Sequence, residues 1–218
     1  SVSAGNGLYV AYNGFDTHVM DVNTLPNGTD VQENGYRAWA QIQTAVGPPG
    51  RKDHAMASLG NGKVLMYGGT DGNNKWFNDA WILTLSFNEK NGEETGTWTQ
   101  IQTKDQPSAR EDHAMASLGD GKVLMYGGYE GNNDDNNGKL NDTWIFTLSS
   151  NKKNGKETGA WTKTTDGPSA RYDHAMASLE NGKVLMYGGN DDNGDLLNDA
   201  WIFTLSSNEK NGKETGTW

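Results

Sequence analysis

Three histidines occur at repeated positions and could do chemistry together. His54, His113 and His174 each follow an aspartate and precede the same Ala-Met-Ala-Ser-Leu run, whereas His18 lies outside the pattern. Imidazole nitrogens bind metal ions when several converge on one point, so three histidines around a common axis could form a metal site. A residue within a near-identical repeat also recurs without any functional cause. The alternative is that each imidazole hydrogen-bonds within or between repeats.

Acidic, asparagine-rich loops form a second group of candidate ligands. The segments 70–74, 131–137 and 190–195 are dense in side-chain oxygens, and Ca²⁺ takes about 6–8 oxygen ligands. None of the three segments has the EF-hand spacing, and they differ from one another, so we expect solvated turns. No cofactor is predicted, and Ca²⁺ is the alternative that these loops leave open.

Catalysis has little support in the sequence. The chain has no cysteine, which excludes a thiol nucleophile and a disulfide framework. It has no Gly-x-Ser-x-Gly motif and no recognisable Ser-His-Asp set. We therefore predict that the protein is not an enzyme.

Charge and hydropathy exclude two classes of partner. The net charge is −10 and the pI is about 4.8, so the polyanionic backbone of nucleic acid would repel the chain. No apolar run is long enough to span a membrane. The N-terminal residues lack a basic region followed by an apolar stretch, so no signal peptide is visible.

An internal repeat determines which elements carry these residues. Three nearly identical copies contain, in fixed order, Asp-His-Ala-Met-Ala-Ser-Leu, Lys-Val-Leu-Met-Tyr-Gly-Gly, Asn-Asp-x-Trp-Ile and Glu-Thr-Gly-x-Trp. A diverged copy opens the chain, where residues 5–14 align with residues 60–69. The repeats occupy residues 1–49 (partial), 50–106, 107–167 and 168–218 (truncated) of a single segment, 1–218. Repetition at a fixed period is typical of propellers and solenoids.

Each copy predicts four short strands. The first two strands flank an Asn-Gly or Asp-Gly pair, which favours a tight hairpin turn. The Gly pair ends the second strand, the third contains the Trp of Asn-Asp-x-Trp, and the fourth starts at the Trp of Glu-Thr-Gly-x-Trp. We therefore predict an all-β propeller of four-stranded antiparallel blades. Trp81, Trp144 and Trp201 are expected between blades, and Trp98 and Trp161 at the outer strands.

The pattern resembles the kelch repeat over essentially the whole chain. The matching features are Arg-x-x-His before the first strand, the Gly pair, Asn-Asp-x-Trp and Thr-Gly-x-Trp-Thr. The amino-acid sequence of the first hairpin is most similar to bacterial extracellular kelch repeats. The resemblance implies a kelch-like propeller that is incomplete here, with about three full blades plus a partial one, since propellers have about four to eight blades. Further chain or another subunit is expected to complete the ring.

The resemblance also implies where a ligand binds. In kelch propellers the loops before the first strand and after the Gly pair lie on one face, called here the loop face, which often binds ligands. Arginine and aromatic side chains dominate binding hot spots and stack on sugars, so a protein or a glycan is the expected partner. The alternative is that each recurring arginine ties adjacent blades together. The candidate ligand-binding residues are Arg51, Arg110, Arg171, Trp76, Phe77, Tyr129 and Tyr172.

These observations predict a non-enzymatic, protein- or carbohydrate-binding module of a larger secreted or cell-surface protein. One alternative is a structural array in which blades pack against copies of the same chain. Another alternative is the non-catalytic part of a carbohydrate-active enzyme. A copper site like that of galactose oxidase is excluded, because it needs a Tyr–Cys crosslink and the chain has no cysteine. Asn27 and Asn141 begin Asn-x-Thr triplets and are candidate glycosylation acceptors.

Overall fold

The chain folds into four antiparallel sheets of four strands each. The computed structural model describes residues 2–5, 8–12, 17–21, 40–42, 44–88, 93–103, 105–131, 138–150, 155–207 and 214–218. Blade 1 consists of β1 (Val2–Gly5), β2 (Leu8–Tyr12), β3 (Thr17–Asp21) and β4 (Ala40–Ile42). Blade 2 consists of β5 (Ala55–Gly60), β6 (Lys63–Tyr67), β7 (Ala80–Asn88) and β8 (Glu93–Ile101). Blade 3 consists of β9 (Ala114–Gly119), β10 (Lys122–Tyr126), β11 (Thr143–Ser150) and β12 (Glu157–Lys163). Blade 4 consists of β13 (Ala175–Ser178), β14 (Lys183–Tyr187), β15 (Ala200–Ser207) and β16 (Glu214–Thr217).

Within each sheet the strand order follows the chain, so every blade is a meander. The turns between the first and second strands of blades 2 to 4 have positive φ at both central residues, for example 52° at Asn61 and 69° at Gly62. Both values suit the type I′ turn that Asn-Gly pairs favour. The fourth strand begins before the repeated tryptophan rather than at it. In blade 2, for example, the pairing with the third strand starts at Asn88 with Glu93, five residues before Trp98. The side of the molecule that carries these Asn-Gly turns is called the turn face.

The blades stack face to face around a common axis. The first strands of consecutive blades, β1, β5, β9 and β13, contact one another and form the innermost layer. The second strands of blades 2 and 3 are buried on both faces; Val64, Leu65, Met66 and Tyr67 are all fully buried. A strand covered on both sides needs a continuous apolar run rather than an alternating one, which is what Val-Leu-Met-Tyr supplies.

Trp98 and Trp161 lie on the fourth, outer strands of their blades, as predicted. Their rings also reach the layers between blades. Trp161, on the fourth strand of blade 3, packs edge-on against Tyr67 of blade 2 at 4.9 Å and against Phe146 of its own blade at 5.2 Å. It therefore lies between blades, and Trp98 is buried in the layer between blades 1 and 2.

Trp144 is only half-buried, and its indole N–H donates to Asp142 at 2.6 Å. Trp144 nevertheless packs against the buried cluster that blades 2 and 3 share, and Trp81 packs against the cluster that includes Ile42 of blade 1, so both lie between blades as predicted. Trp201, the third of the set, is 37% exposed.

None of the described segments is a helix with the length and apolarity that a bilayer-spanning helix requires.

Candidate functional site

A buried arginine connects two loops in each of blades 2, 3 and 4. Arg110 is fully buried and donates to both carboxylate oxygens of Asp142, at 2.6 and 2.9 Å, and to the carbonyl oxygen of Gly127 at 2.9 Å. Burial alone would raise the pKa of Asp142, but hydrogen bonds from Arg110 and Trp144 outweigh it and hold that pKa below its usual value. This two-pronged pairing fixes the loop before the first strand to the loop before the third.

The other two arginines repeat the arrangement. Arg51 binds Asp79 at 2.6 and 2.9 Å, and Arg171 binds Asp199 at 2.7 and 2.9 Å. Both guanidinium groups are buried and leave no exposed donor for a ligand. Their expected role therefore changes from contacting a ligand to fixing the loops that form the loop face. Each ion pair also lies within one blade, so the arginine side chains do not join adjacent blades, which was the alternative to a ligand-binding role.

The backbone of the same loops makes the seam between blades. The N–H of Gly69 donates to the carbonyl of Arg110 in the next blade at 2.8 Å, and Gly128 repeats the bond to Arg171 at 2.9 Å. A Cβ atom at Gly68, whose φ is +68°, would lie 2.6 Å from the Arg110 carbonyl oxygen. The first glycine of the pair therefore lets the next blade approach this closely.

A tyrosine and a histidine complete each seam. The hydroxyl of Tyr67 donates to the carbonyl of Pro107 at 2.6 Å, and the His113 ring packs edge-on against Tyr67 at 6.0 Å. Neither ring nitrogen of His113 or His174 has a hydrogen-bond partner among the described residues. Burial, followed by nearby Arg110, lowers the pKa of His113 well below its usual value. The imidazoles are thus neutral packing groups between blades, and no group of three His, Asp or Glu side chains within the described ranges is arranged to hold a metal ion.

Above this framework, each of blades 2, 3 and 4 presents a short three-position bridge on the loop face, called here a rung. In blade 2, Lys52 and Thr70 exchange two backbone hydrogen bonds of 2.9 Å, and Thr70 also bridges Trp76. The same bridges recur in blades 3 and 4. The three rungs are Lys52–Thr70–Trp76, Glu111–Tyr129–Lys139 and Tyr172–Asn190–Leu196.

The four predicted aromatic residues occupy different depths. Trp76, Tyr129 and Tyr172 lie in the rungs and are half-buried, whereas Phe77 is buried with its ring 4.1 Å from the Arg51 guanidinium. Lys139 lies 5.5 Å above the Tyr172 ring. The structure thus places three of the four aromatics in the rungs of successive blades, each at a different rung position, and assigns Phe77 to the support of Arg51.

The acidic loops use their carboxylates internally where the structure describes them. Asp71 accepts the N–H of Asn73 at 2.7 Å, and Asp191 accepts those of Asn193 and Asp195 at 2.8 and 2.9 Å. These are the bonds by which aspartate closes a turn. Residues 132–137 of the middle loop, and the candidate acceptor Asn27, lie outside the described residues. Asn141, the other candidate acceptor, is exposed.

Two grooves lie away from the predicted site, between blades 2 and 3. Their volumes are about 660 and 420 Å³, and both are lined by Lys63 and Glu157, which form an ion pair of 3.3 Å across the blades. None of the predicted ligand-binding residues lines either groove.

The carboxylate partners of the arginines were missed from the sequence. Asp79, Asp142 and Asp199 each stand in the Asn-Asp-x-Trp motif, two residues before a tryptophan whose indole N–H they also accept. The signal was present, because an Arg and an Asp that recur together at fixed positions in every full copy are candidates for one ion pair. Their separation along the chain, 28 or 32 residues, hides the contact.

Four-stranded meanders that stack through their faces around an axis define a β-propeller segment. Residues 16–209 match the family described as the KLHDC2/KLHL20/DRC7 Kelch-repeats domain. This match extends over most of the chain, so the chain belongs to that kelch-repeat family.

Known proteins agree with this assignment. The chain is 28% identical over 197 residues to Adagio-like protein 1 of Oryza sativa subsp. japonica, which covers 89% of this chain and 27% of that protein. It is 25% identical over 183 residues to the F-box/kelch-repeat protein At1g51550 of Arabidopsis thaliana, covering 84% of this chain and 36% of that protein. The chain therefore spans about a third or less of these relatives. The narrower likeness to bacterial extracellular repeats is not confirmed by them.

A solved structure supports the fold. That of YjhT superposes with a TM-score of 0.60 at 16% identity, covering 92% of this chain and 51% of that one. At this identity the likeness concerns the fold alone.

Proposed function

We propose that this kelch-repeat domain is a non-enzymatic module that binds a protein partner through its loop face. One observation carries the proposal: the three rungs share one backbone geometry but carry different side chains. The first position is Lys, Glu or Tyr, the second Thr, Tyr or Asn, and the third Trp, Lys or Leu. The residues that hold the rungs in place, namely the arginine, its aspartate and the Gly pair, are identical in all three blades.

This contrast favours recognition over a purely structural role. A rigid support that presents varied side chains is how binding loops are usually organised. The rung side chains offer both signs of charge together with aromatic and aliphatic groups, and Leu196 is 84% exposed. Such a mixture suits the aromatic and charged anchors of a protein interface. A glycan partner remains an alternative, because tyrosine and tryptophan rings also stack on sugars.

Matched variants of the full-length protein test the proposal. A rung variant carries Lys52→Ser, Tyr129→Ser and Leu196→Ser, whereas a turn-face control carries Lys156→Ser, Glu180→Ser and Lys183→Ser at exposed positions. Partners are captured from the native host by crosslinking and identified by mass spectrometry. We expect the wild type and the control to capture the same protein and the rung variant to lose it. Equal capture by the rung variant, or loss only in the control, would contradict the proposal.

A second candidate function is assembly through blade packing, and one face of blade 4 favours it. Tyr187 and Ile202 are 54% and 49% exposed, whereas their counterparts Tyr67, Tyr126 and Ile82 are buried beneath the next blade. A blade from another copy of the chain could cover this face as blade 3 covers blade 2. Light scattering of the chain should then show an oligomer that Tyr187→Ser converts to a monomer. A monomeric wild type would exclude assembly by this route.

Secretion or display at the cell surface remains a prediction, as does glycosylation of Asn27 and Asn141. Fractionation of the host, with glycosidase treatment of the full-length protein, tests both; a cytosolic protein whose mass does not change would contradict them.

A further inference from the structure

An aspartate precedes each of the three repeated histidines, and all three adopt the same unusual backbone conformation. Asp53, Asp112 and Asp173 have φ of 55°, 54° and 56°. This left-handed region is uncommon for residues other than glycine, and aspartate and asparagine tolerate it best. None of the three is used by the arginine pairs or by the seams described above.

The three aspartates form a column, because their backbones are bonded to one another. The N–H of Asp112 donates to the carbonyl of Asp53 at 3.0 Å, and that of Asp173 donates to the carbonyl of Asp112 at 3.0 Å. Three carboxyl groups therefore branch from successive members of one column, and the charges of Asp53 and Asp173 disfavour ionisation of Asp112 between them.

The two outer carboxyl groups have polar partners that the middle one lacks. Lys52 lies 2.8 Å from Asp53, and the side-chain amide of Asn190 donates to Asp173 at 3.4 Å. No side chain among the described residues donates a hydrogen bond to the Asp112 carboxyl group. The charged groups that face it are the following: Asp53 and Lys52 of the preceding blade, Asp173 of the following blade, and Glu111 of its own loop.

The balance of these groups favours a neutral carboxyl at the centre. Three negative charges face Asp112 against the single positive charge of Lys52, which is already paired with Asp53. Burial, followed by Asp173, Asp53 and Glu111, raises the pKa of Asp112 to about 7.

We propose that the Asp53–Asp112–Asp173 column is a proton-binding site on the loop face, which takes up one proton, centred on Asp112, as the pH falls through neutrality and releases it to solvent as the pH rises. The column lies beside the rungs, because Lys52, Glu111 and Tyr172 directly precede its three members. Release of the proton adds one negative charge to the loop face. The proton site does not depend on the identity of any partner.

Carboxyl carbon chemical shifts test the proposal in the full chain labelled with ¹³Cγ-aspartate and titrated from about pH 3 to 9. We expect one aspartate signal with a midpoint near 7, which disappears in Asp112→Asn. Asp53→Asn and Asp173→Asn should each shift that midpoint downward, because each removes a neighbouring negative charge. Asp166→Asn, an exposed position paired only with Lys163, should leave it unchanged.

Two results would overturn the proposal. One is that every aspartate carboxyl of the wild-type protein titrates below about pH 5, the range of ordinary aspartates. The other is a midpoint near 7 that neither Asp53→Asn nor Asp173→Asn moves, since burial alone would then explain it. Asparagine tolerates the left-handed backbone, so these variants are expected to fold. If one fails to fold, the wild-type titration still decides the first point.

Discussion

Replacing Asp142 with asparagine measures how far the Arg110 guanidinium depends on its carboxylate. The change keeps the size of the side chain and leaves one oxygen acceptor, but it removes the charge that faces a fully buried arginine. Breaking a buried pair on one side is costly because the remaining charge is left uncompensated; such losses are about 3–5 kcal/mol. The Asp142 side chain is 13% exposed, so water screens the pair little, and we expect a loss of about 3 kcal/mol.

Asp199 provides a matched comparison within the same chain. Its side chain makes the same two bonds to Arg171 but is 37% exposed. Water can therefore replace part of the lost interaction, and Asp199→Asn should lower the free energy of unfolding by only about 1 kcal/mol. Asp166→Asn, at an exposed pair with Lys163, should have almost no effect.

Urea unfolding followed by tryptophan fluorescence gives the three free energies. A change in midpoint at constant slope reports stability directly, and the melting temperature of Asp142→Asn should fall by about 6–12 °C. A loss below about 1 kcal/mol for Asp142→Asn would refute the reasoning, because breaking a buried pair costs more than that. An equal loss for Asp199→Asn would refute the argument from burial.

Three further predictions concern the seams between blades. Burial lowers the pKa of His174 to about 3. The stability that comes from its neutral imidazole is therefore fully present above about pH 6.5, the pKa in the unfolded chain, and is lost as the pH falls below that value. His174→Gln should accordingly lose less of its urea midpoint between pH 7 and 4 than the wild type does. Gly127→Ala should lower the free energy of unfolding, measured by thermal unfolding, by more than about 2 kcal/mol, because the new Cβ would lie 2.6 Å from a carbonyl oxygen of the next blade. The control Gly119→Ala places its Cβ more than 4 Å from any atom and should lower it by only about 1 kcal/mol. Tyr126→Phe removes a hydroxyl that donates to carbonyls at 2.9 and 3.1 Å and should lower the free energy of unfolding by about 1 kcal/mol. Tyr187→Phe, at the exposed counterpart, should have almost no effect. Equal losses in urea unfolding would contradict the claim that this hydroxyl stabilises the contact between blades.

The strands and hairpins were predictable from the sequence because their signals are local. Asn61-Gly62 favours a tight turn, and Val64 to Tyr67 is the kind of apolar run that a strand buried on both faces needs. The number of repeats and their order around the axis follow from the self-similarity of the chain.

The site was less predictable because its contacts are not local. Arg110 looked like a candidate hot spot until its partner, 32 residues away, was known. The rungs could not be read from the sequence either, because the loop after the Gly pair differs between copies in both length and residue type. Only the backbone pairing shows that Trp76, Lys139 and Leu196 occupy equivalent positions.

Hydrogen exchange of the full-length protein, with and without its captured partner, tests the central claim most directly. If the loop face binds the partner, protection should appear at the backbone amides of the three rungs and in the adjoining aspartate column. Amides of the turn face, around Asn61, Asp120 and Asn181, should exchange at the same rate in both samples. Protection confined to the turn face or to the outer strands, with no change at the rungs, would contradict the account.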